Sequence, residues 1–297
     1  MLVAVGFFSL MDALMKALVG HYPPLQVAAL RGLGALPLVT LYVLWRGAGR
    51  GLLRVRWPLH LLRGGCNIAT LGLFSYALSS LPLAEGYTIF FVAPLLITAL
   101  STVVLDERVR AAHWIAIATG LCGVVVALRP SQEAFFTLGA LAALGAASCY
   151  AVSAIVGRVL ARTDSTASMV FWTTAFVALG GSALSAGSWV PVAPAHWALI
   201  AGLALTGFFG LLAITQAFSH GQAAVVAPFE YTALAWGVAL DWLVWHTAPD
   251  HATLLGGAII IGSGLYVVGK ERREGRERKE TLERAERNEA RSRPSGA

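Results

Sequence analysis

Charge is scarce in this chain. Asp, Glu, Lys and Arg make up 13% of its 297 residues, against about 25% in soluble globular domains. That stock is too small to cover a water-facing surface, so the composition argues against a soluble enzyme. Cysteine is scarce too. Cys66, Cys122 and Cys149 stand singly inside apolar stretches, with no CxxC or Cys/His spacing. Neither a disulfide framework nor a metal site is indicated, and each is expected to be a buried, inert thiol. No GxxxxGK[ST] loop is present, which excludes an ATP motor. No Arg-rich voltage-sensor helix and no TVGYG-like filter occurs. No nucleophile–base constellation appears: His21, His60, His113, His196, His220, His246 and His251 all fall at the ends of apolar segments. No cofactor and no catalytic residue is implied.

What is abundant is apolar sequence. The chain is 57% hydrophobic, with a mean hydropathy of +0.69. The stretch Leu81–Arg110 sets the pattern. It opens near a Pro, runs apolar with Glu85 as its early interruption, and closes on Asp106, Glu107 and Arg108. At about 1.5 Å per helical residue it spans the roughly 30 Å core of a bilayer. Ten such segments can be drawn: 1–19, 23–45, 58–80, 82–105, 113–129, 137–160, 167–187, 196–218, 222–245 and 252–269. Lipid cannot satisfy open backbone groups, so these segments must be helices. A β-barrel would show shorter, alternating segments. The first segment opens at Met1, and no signal peptide is expected ahead of it.

Lys and Arg set the orientation. Arg46, Arg50, Arg54 and Arg56, then Arg108 and Arg110, then Arg158 and Arg162, and then the basic tail after Gly269 all fall on one side if ten helices alternate. The other side carries Arg129 alone. The positive-inside rule places both termini in the cytoplasm of an inner-membrane protein. The net charge of +6 is thereby a topology signal, and no nucleic-acid partner is implied.

The chain also repeats. The stretch Gly221–Pro249 has the build of Leu81–Arg110, with Pro228 and Glu230 near its start. At an offset of 140 residues, Trp57 meets Trp197, Ala77 meets Ala217, Ser79 meets Ser219 and Ala84 meets Ala224. Five helices per copy is an odd number, so the second copy is inverted in the membrane. Inverted repeats are a common plan of secondary transporters, with the substrate held near the midplane between the halves.

Four pieces carry a more specific likeness: residues 9–32 with Asp12, Lys16 and Arg31; the Leu81 stretch with Pro94 and Glu107; GLCGVVVALRP at 120–130; and VVAPFEYTALAWGVALDWLVWHTAP at 225–249. Together they resemble the EamA-type branch of the drug/metabolite transporter superfamily. The resemblance implies an all-α membrane protein of ten transmembrane helices in two inverted five-helix repeats, residues 1–130 and 137–269, with a basic cytoplasmic tail at 270–297. One departure is visible: Thr247 stands where members often carry the counterpart of Glu107. That suggests a loop or topology role for Glu107.

Asp12 and Lys16 are four residues apart on one helix face. Against lipid a lone charge costs several kcal/mol, so a buried structural group with Arg31 is favoured over a coupling or substrate role. Glu230, beside Pro228, marks a possible break in a membrane helix and hence a cavity. Glu85 reads equally as an interfacial acid, and Asp241 as one facing the headgroups. The candidate substrate-binding set is Glu230, Tyr231, Gln216, Tyr87, Phe91, Tyr76, Asn67, Tyr150 and Trp172, although any single aromatic is more often packing than ligand contact. A cavity walled by aromatics suits small amphipathic solutes. By resemblance, the function is export of amino acids, including aromatic ones, by a monomer whose partners are its solute and the bilayer. The alternatives are uptake of a larger flat metabolite such as S-adenosylmethionine or riboflavin, and a non-transporting intramembrane scaffold or enzyme.

Overall fold

The computed structural model describes residues 1–80, 83–107, 109–129, 137–245, 251–266 and 269–270. Among the described residues there is no strand. The helices are α1 (Leu2–Val19), α2 (Pro24–Trp45), α3 (Trp57–Ser80), α4 (Leu83–Phe90), α5 (Ala93–Val104), α6 (Ala111–Leu128), α7 (Leu138–Leu160), α8 (Thr166–Ser185), α9 (Trp197–His220), α10 (Ala223–Val226), α11 (Thr232–Trp245) and α12 (His251–Tyr266). Among the described residues, six stretches are long and apolar enough to cross a membrane: Leu2–Val19, Leu25–Trp45, Gly86–Val104, Leu138–Leu160, Thr166–Ser188 and Pro194–His220. Ala111–Ala127 and His251–Tyr266 are shorter apolar helices. The chain is therefore a multi-pass membrane protein.

Two of the expected spans are interrupted, and proline explains both. Pro94 has no N–H, and its ring excludes the carbonyl four residues back. That carbonyl belongs to Phe90, the last residue of α4, and the chain turns at Phe91–Val92 before α5 begins. Around Pro228 the helix tightens into a 3-10 turn, Ala227–Tyr231, between α10 and α11.

The packing is nearly unchanged when the halves are exchanged. Taking α1, α2, α3, α4–α5 and α6 as counterparts of α7, α8, α9, α10–α11 and α12, the α3–α7 contact maps onto α9–α1, α2–α9 onto α8–α3, and α5–α7 onto α11–α1; each of these pairs packs together. The counterparts α2 and α8 pack on each other directly, through small residues. A Cβ added to Gly32 would lie 2.7 Å from the backbone nitrogen of Ala178, and one on Gly181 would lie 3.1 Å from Cα of Ala29. Such close backbone approach is how helices associate where water provides no drive. The 140-residue spacing persists: α3 and α9 open on Trp57 and Trp197 and are each 24 residues long.

Polar contacts join the halves at both ends of the bundle. At the Arg-rich end, the Asp164 carboxylate in the α7–α8 link meets Nε2 of His60 at 2.8 Å and accepts the Arg56 backbone N–H at 3.2 Å. At the other end, Ala193 N–H donates to the Tyr22 hydroxyl at 2.9 Å, and Gln26 exchanges two bonds with the Val190 backbone, at 2.6 and 2.8 Å. These two latches use counterpart links. A third contact has no such twin among the described residues. Glu107 lies 3.5 Å from Nε of Arg158 and accepts the Ala223 N–H at 3.0 Å, while Nη1 of Arg158 donates to the Phe218 and Ser219 carbonyls at 2.9 and 2.6 Å. Glu107 thus ties the end of α5 to α7 and to the start of α10. Behind this clamp, Ile97, Leu105, Ile155, Phe218 and Val226 form an apolar plug.

The cysteines correct an expectation. All three are free, but none is fully buried, and Cys122 is exposed on α6. An apolar residue of a membrane helix is as stable facing lipid as facing the interior, so hydrophobicity does not mark burial here.

Candidate functional site

The acid of the second broken helix is held from across the bundle. Oε1 of Glu230 accepts a hydrogen bond of 2.9 Å from the Tyr150 hydroxyl. Tyr150 lies near the midpoint of α7, so the pair joins the 3-10 turn to the middle of the bundle. From Tyr150 a chain of aromatic rings runs through both halves. Its centroids are separated by 5.6 Å to Phe90, 5.0 Å to Phe74, 5.4 Å to Tyr87, 6.3 Å to Phe91 and 5.9 Å to Tyr231. The arc thus begins at the partner of Glu230 and ends at the residue next to it. Phe90 and Phe91 both join the arc although they are adjacent in sequence. Tyr231 is fully buried, its hydroxyl has no partner among the described residues, and its ring occupies the space that a side chain on Gly120 would take.

Asp12 connects to this arc. It is within electrostatic reach of Arg31 on α2 and of Tyr87 on α4. Asp12 itself is exposed. Arg31 crosses to α9, where its aliphatic stem covers Gly207, and its Nη1 lies 3.5 Å from Sδ of Met11. Lys16 is in α1, but its side chain lies outside the described residues, as do those of Glu85 and Asp241; Thr247 lies outside them altogether.

Of the nine candidate substrate contacts, the structure brings five to one arc: Glu230, Tyr231, Tyr87, Phe91 and Tyr150. Asn67 lies beside it on α3, where its Oδ1 accepts from Ser153 of α7 at 3.1 Å. Trp172 is not part of the arc. Its Nε1 donates to the Leu52 carbonyl at 2.9 Å, and its ring packs with Trp57, Phe171 and Phe176 at the Arg-rich end. An indole N–H needs an acceptor, and the α2–α3 link supplies one. Gln216 and Tyr76, counterparts in the repeat, are both exposed.

Two participants escaped the sequence reading. Phe90 is an ordinary apolar residue in the sequence, and only its ring contacts with Phe74 and Tyr150 mark it. Arg63 lies in α3, is 7% exposed, and its Nε and Nη1 have no hydrogen-bond partner among the described residues. An Arg inside an apolar span is itself a signal; here it stood close to the Arg-rich 46–57 link and blended into it.

Comparison with known proteins agrees with this architecture. The profile of the EamA-like transporter family matches residues 1–129 and again residues 137–269. The pseudopaline exporter CntI of Pseudomonas aeruginosa is 28% identical, over 86% of this chain and 89% of its own. A riboflavin transporter of Vibrio cholerae is 28% identical over 85% and 86%. An S-adenosylmethionine uptake transporter of Rickettsia conorii is 26% identical over 80% and 79%. A chain of known crystal structure superposes with a TM-score of 0.78 at 25% identity, covering 90% of this chain and 96% of that one. These relatives are named for pseudopaline, riboflavin and S-adenosylmethionine rather than for aromatic amino acids.

Proposed function

The chain belongs to the EamA-like transporter family, and from that premise we propose that it exports amino acids or amino-acid-derived solutes, aromatic ones included, by alternating access. The observation that carries this reading is the ring arc closed on Glu230 by Tyr150. Flat apolar groups stack on such rings for about 0.5–1.5 kcal/mol each, and a carboxylate held among them suits an amine. The half-exchange symmetry of the packing supports ten spans in two inverted repeats, residues 1–130 and 137–269, followed by the tail at 270–297. The Arg-rich loops support cytoplasmic termini in the inner membrane. The solute lies between the halves at the arc, in a monomer.

A second reading has an observation of its own. Relatives named for riboflavin and for S-adenosylmethionine favour a larger flat metabolite, taken up rather than exported. Counterflow into proteoliposomes with labelled phenylalanine, riboflavin and S-adenosylmethionine separates the two. The first reading expects phenylalanine to exchange and Glu230→Gln to abolish most of that exchange. Exchange of riboflavin or S-adenosylmethionine alone would replace it with the second, and no exchange of any solute would sink transport of these classes.

A further inference from the structure

Three buried hydrogen-bond donors on α3 have no acceptor among the described residues: Nε and Nη1 of Arg63 and Nδ2 of Asn67. The two residues are four apart and share one helix face. Both face α7. The guanidinium carbon of Arg63 lies 3.2 Å from the point that a Cβ on Gly157 would occupy, so glycine is what admits it. Asn67 meets Ser153. Gly157, Ser153 and Tyr150 fall on successive turns of α7, so the donors line a seam that leads to the Glu230 pair. Over its seven residues the seam runs roughly 10 Å, comparable with the long dimension of an aromatic amino acid.

Among the described residues no side-chain anion of the interior answers these donors. Glu230 is bonded to Tyr150, Asp164 to His60 and Glu107 to Arg158; Asp12 has Arg31 as its electrostatic partner. Arg63 does not reach the headgroups either, since it is 7% exposed. A buried cation without a counter-charge costs several kcal/mol, and unsatisfied amide and guanidinium donors add to that cost. A group that supplies acceptors to all three donors, carries one negative charge and is planar would relieve it. A carboxylate fits, because the guanidinium presents parallel N–H donors to it.

We propose that the α3–α7 seam is an anion subsite of the solute pathway, in which Arg63 and Asn67 take the carboxylate of the substrate while its apolar part lies toward the ring arc. This rests on the transport reading of that arc and narrows it to solutes bearing a carboxylate.

The test uses the full chain with three probes: L-phenylalanine, L-phenylalaninamide, which keeps the ring and amine but lacks the carboxylate, and 3-phenylpropionate, which keeps the ring and carboxylate but lacks the amine. In proteoliposomes the wild type is expected to favour phenylalanine over its amide at least tenfold. Arg63→Gln brings that ratio close to one, and Arg63→Lys retains part of it. In detergent, 3-phenylpropionate raises the melting temperature of the wild type but not of Arg63→Gln. Without solute, Arg63→Gln melts no lower than wild type, because the substitution removes an unpaired buried charge; a purely structural Arg63 would give a clear drop. An unaltered phenylalanine-to-amide ratio in Arg63→Gln overturns the proposal. So does Arg63-dependent stabilisation by chloride with none by 3-phenylpropionate, which would assign the seam to an inorganic anion. Arg63-dependent stabilisation by the carboxylate probes with no flux in liposomes would uphold the subsite and overturn the transport reading instead.

Discussion

Replacing Tyr150 by Phe removes one oxygen atom from the site. The ring contact with Phe90 at 5.6 Å remains, and the 2.9 Å bond to Oε1 of Glu230 is lost. The Glu230 side chain has no other hydrogen bond among the described residues, so the loss leaves its carboxylate without a fixed orientation. A hydrogen bond to a charged group contributes about 1.5–3 kcal/mol, or roughly 10- to 100-fold in an equilibrium constant. The half-saturation concentration for phenylalanine counterflow is therefore expected to rise about tenfold or more in Tyr150→Phe, because the amine loses a positioned partner. The control is Glu230→Gln. In that background Tyr150→Phe should have little further effect, since the charge-assisted bond is already gone. A double-mutant cycle then gives a coupling energy of about 1.5–3 kcal/mol. Equal losses from Tyr150→Phe in the two backgrounds, a coupling near zero, would refute the claim that the hydroxyl acts through Glu230.

Other expectations follow from the latches and the packing. Burial pushes the Asp164 carboxyl up, but bonds from Thr163, His60 and the Arg56 backbone outweigh it and hold it below the usual range of about 3.9. A group depressed on folding stabilises the protein above its unfolded pKa and loses that contribution as pH falls through the folded value. Asp164→Asn should thus melt below wild type at pH 5–7, with the gap closing below roughly pH 4; a gap that persists unchanged to pH 3 contradicts this. Gly32→Leu places a side chain where even a Cβ lies 2.7 Å from the Ala178 backbone, and should cost about 3 kcal/mol or more by forcing α2 from α8, read as loss of monodisperse protein in detergent. A reporter fused at residue 133 should read external and one after residue 270 internal, and the reverse pattern would reject the orientation drawn here.

Helix positions were readable from apolar run length, because in lipid the run length is the span. The expected 58–80 and 196–218 segments differ by a residue or two from α3 and α9. The interruption at Phe91–Val92 was less legible: Pro94 signals a break, but which residues turn depends on the packing of α4 against α7. Glu230 could be singled out as an acid beside a proline, whereas its partner Tyr150 is 80 residues away and nothing local joins them. Trp172 looked like the other aromatics. α8 is apolar nearly all round, so periodicity could not say which face it turns inward. Arg63 illustrates the opposite difficulty, since a buried charge close to a basic loop resembles a topology signal until its burial is known.

The clamp of Glu107 and Arg158 has no twin among the described residues at the other end of the bundle. At the repeat spacing of 140, Thr247 offers no carboxylate, and α1 ends in Ala17, Leu18 and Val19 where α7 carries Arg158. In an inverted repeat, the two extreme shapes of the cycle are built from the same parts in exchanged roles and would otherwise be close in energy. A bridge available to one shape alone, contributing about 1–2 kcal/mol, raises its resting occupancy roughly 5- to 30-fold. Under the alternating access proposed above, opening toward the Arg-rich side must first break this bridge, so the lock sets the resting occupancy while the solute gradients set the net direction. Glu107→Gln should accelerate thiol labelling, from the Arg-rich side, of a cysteine placed at Ala154 behind the clamp; labelling at the wild-type rate would mean the bridge sets no such preference. A transporter so biased waits with its interior presented to the side opposite its positive loops.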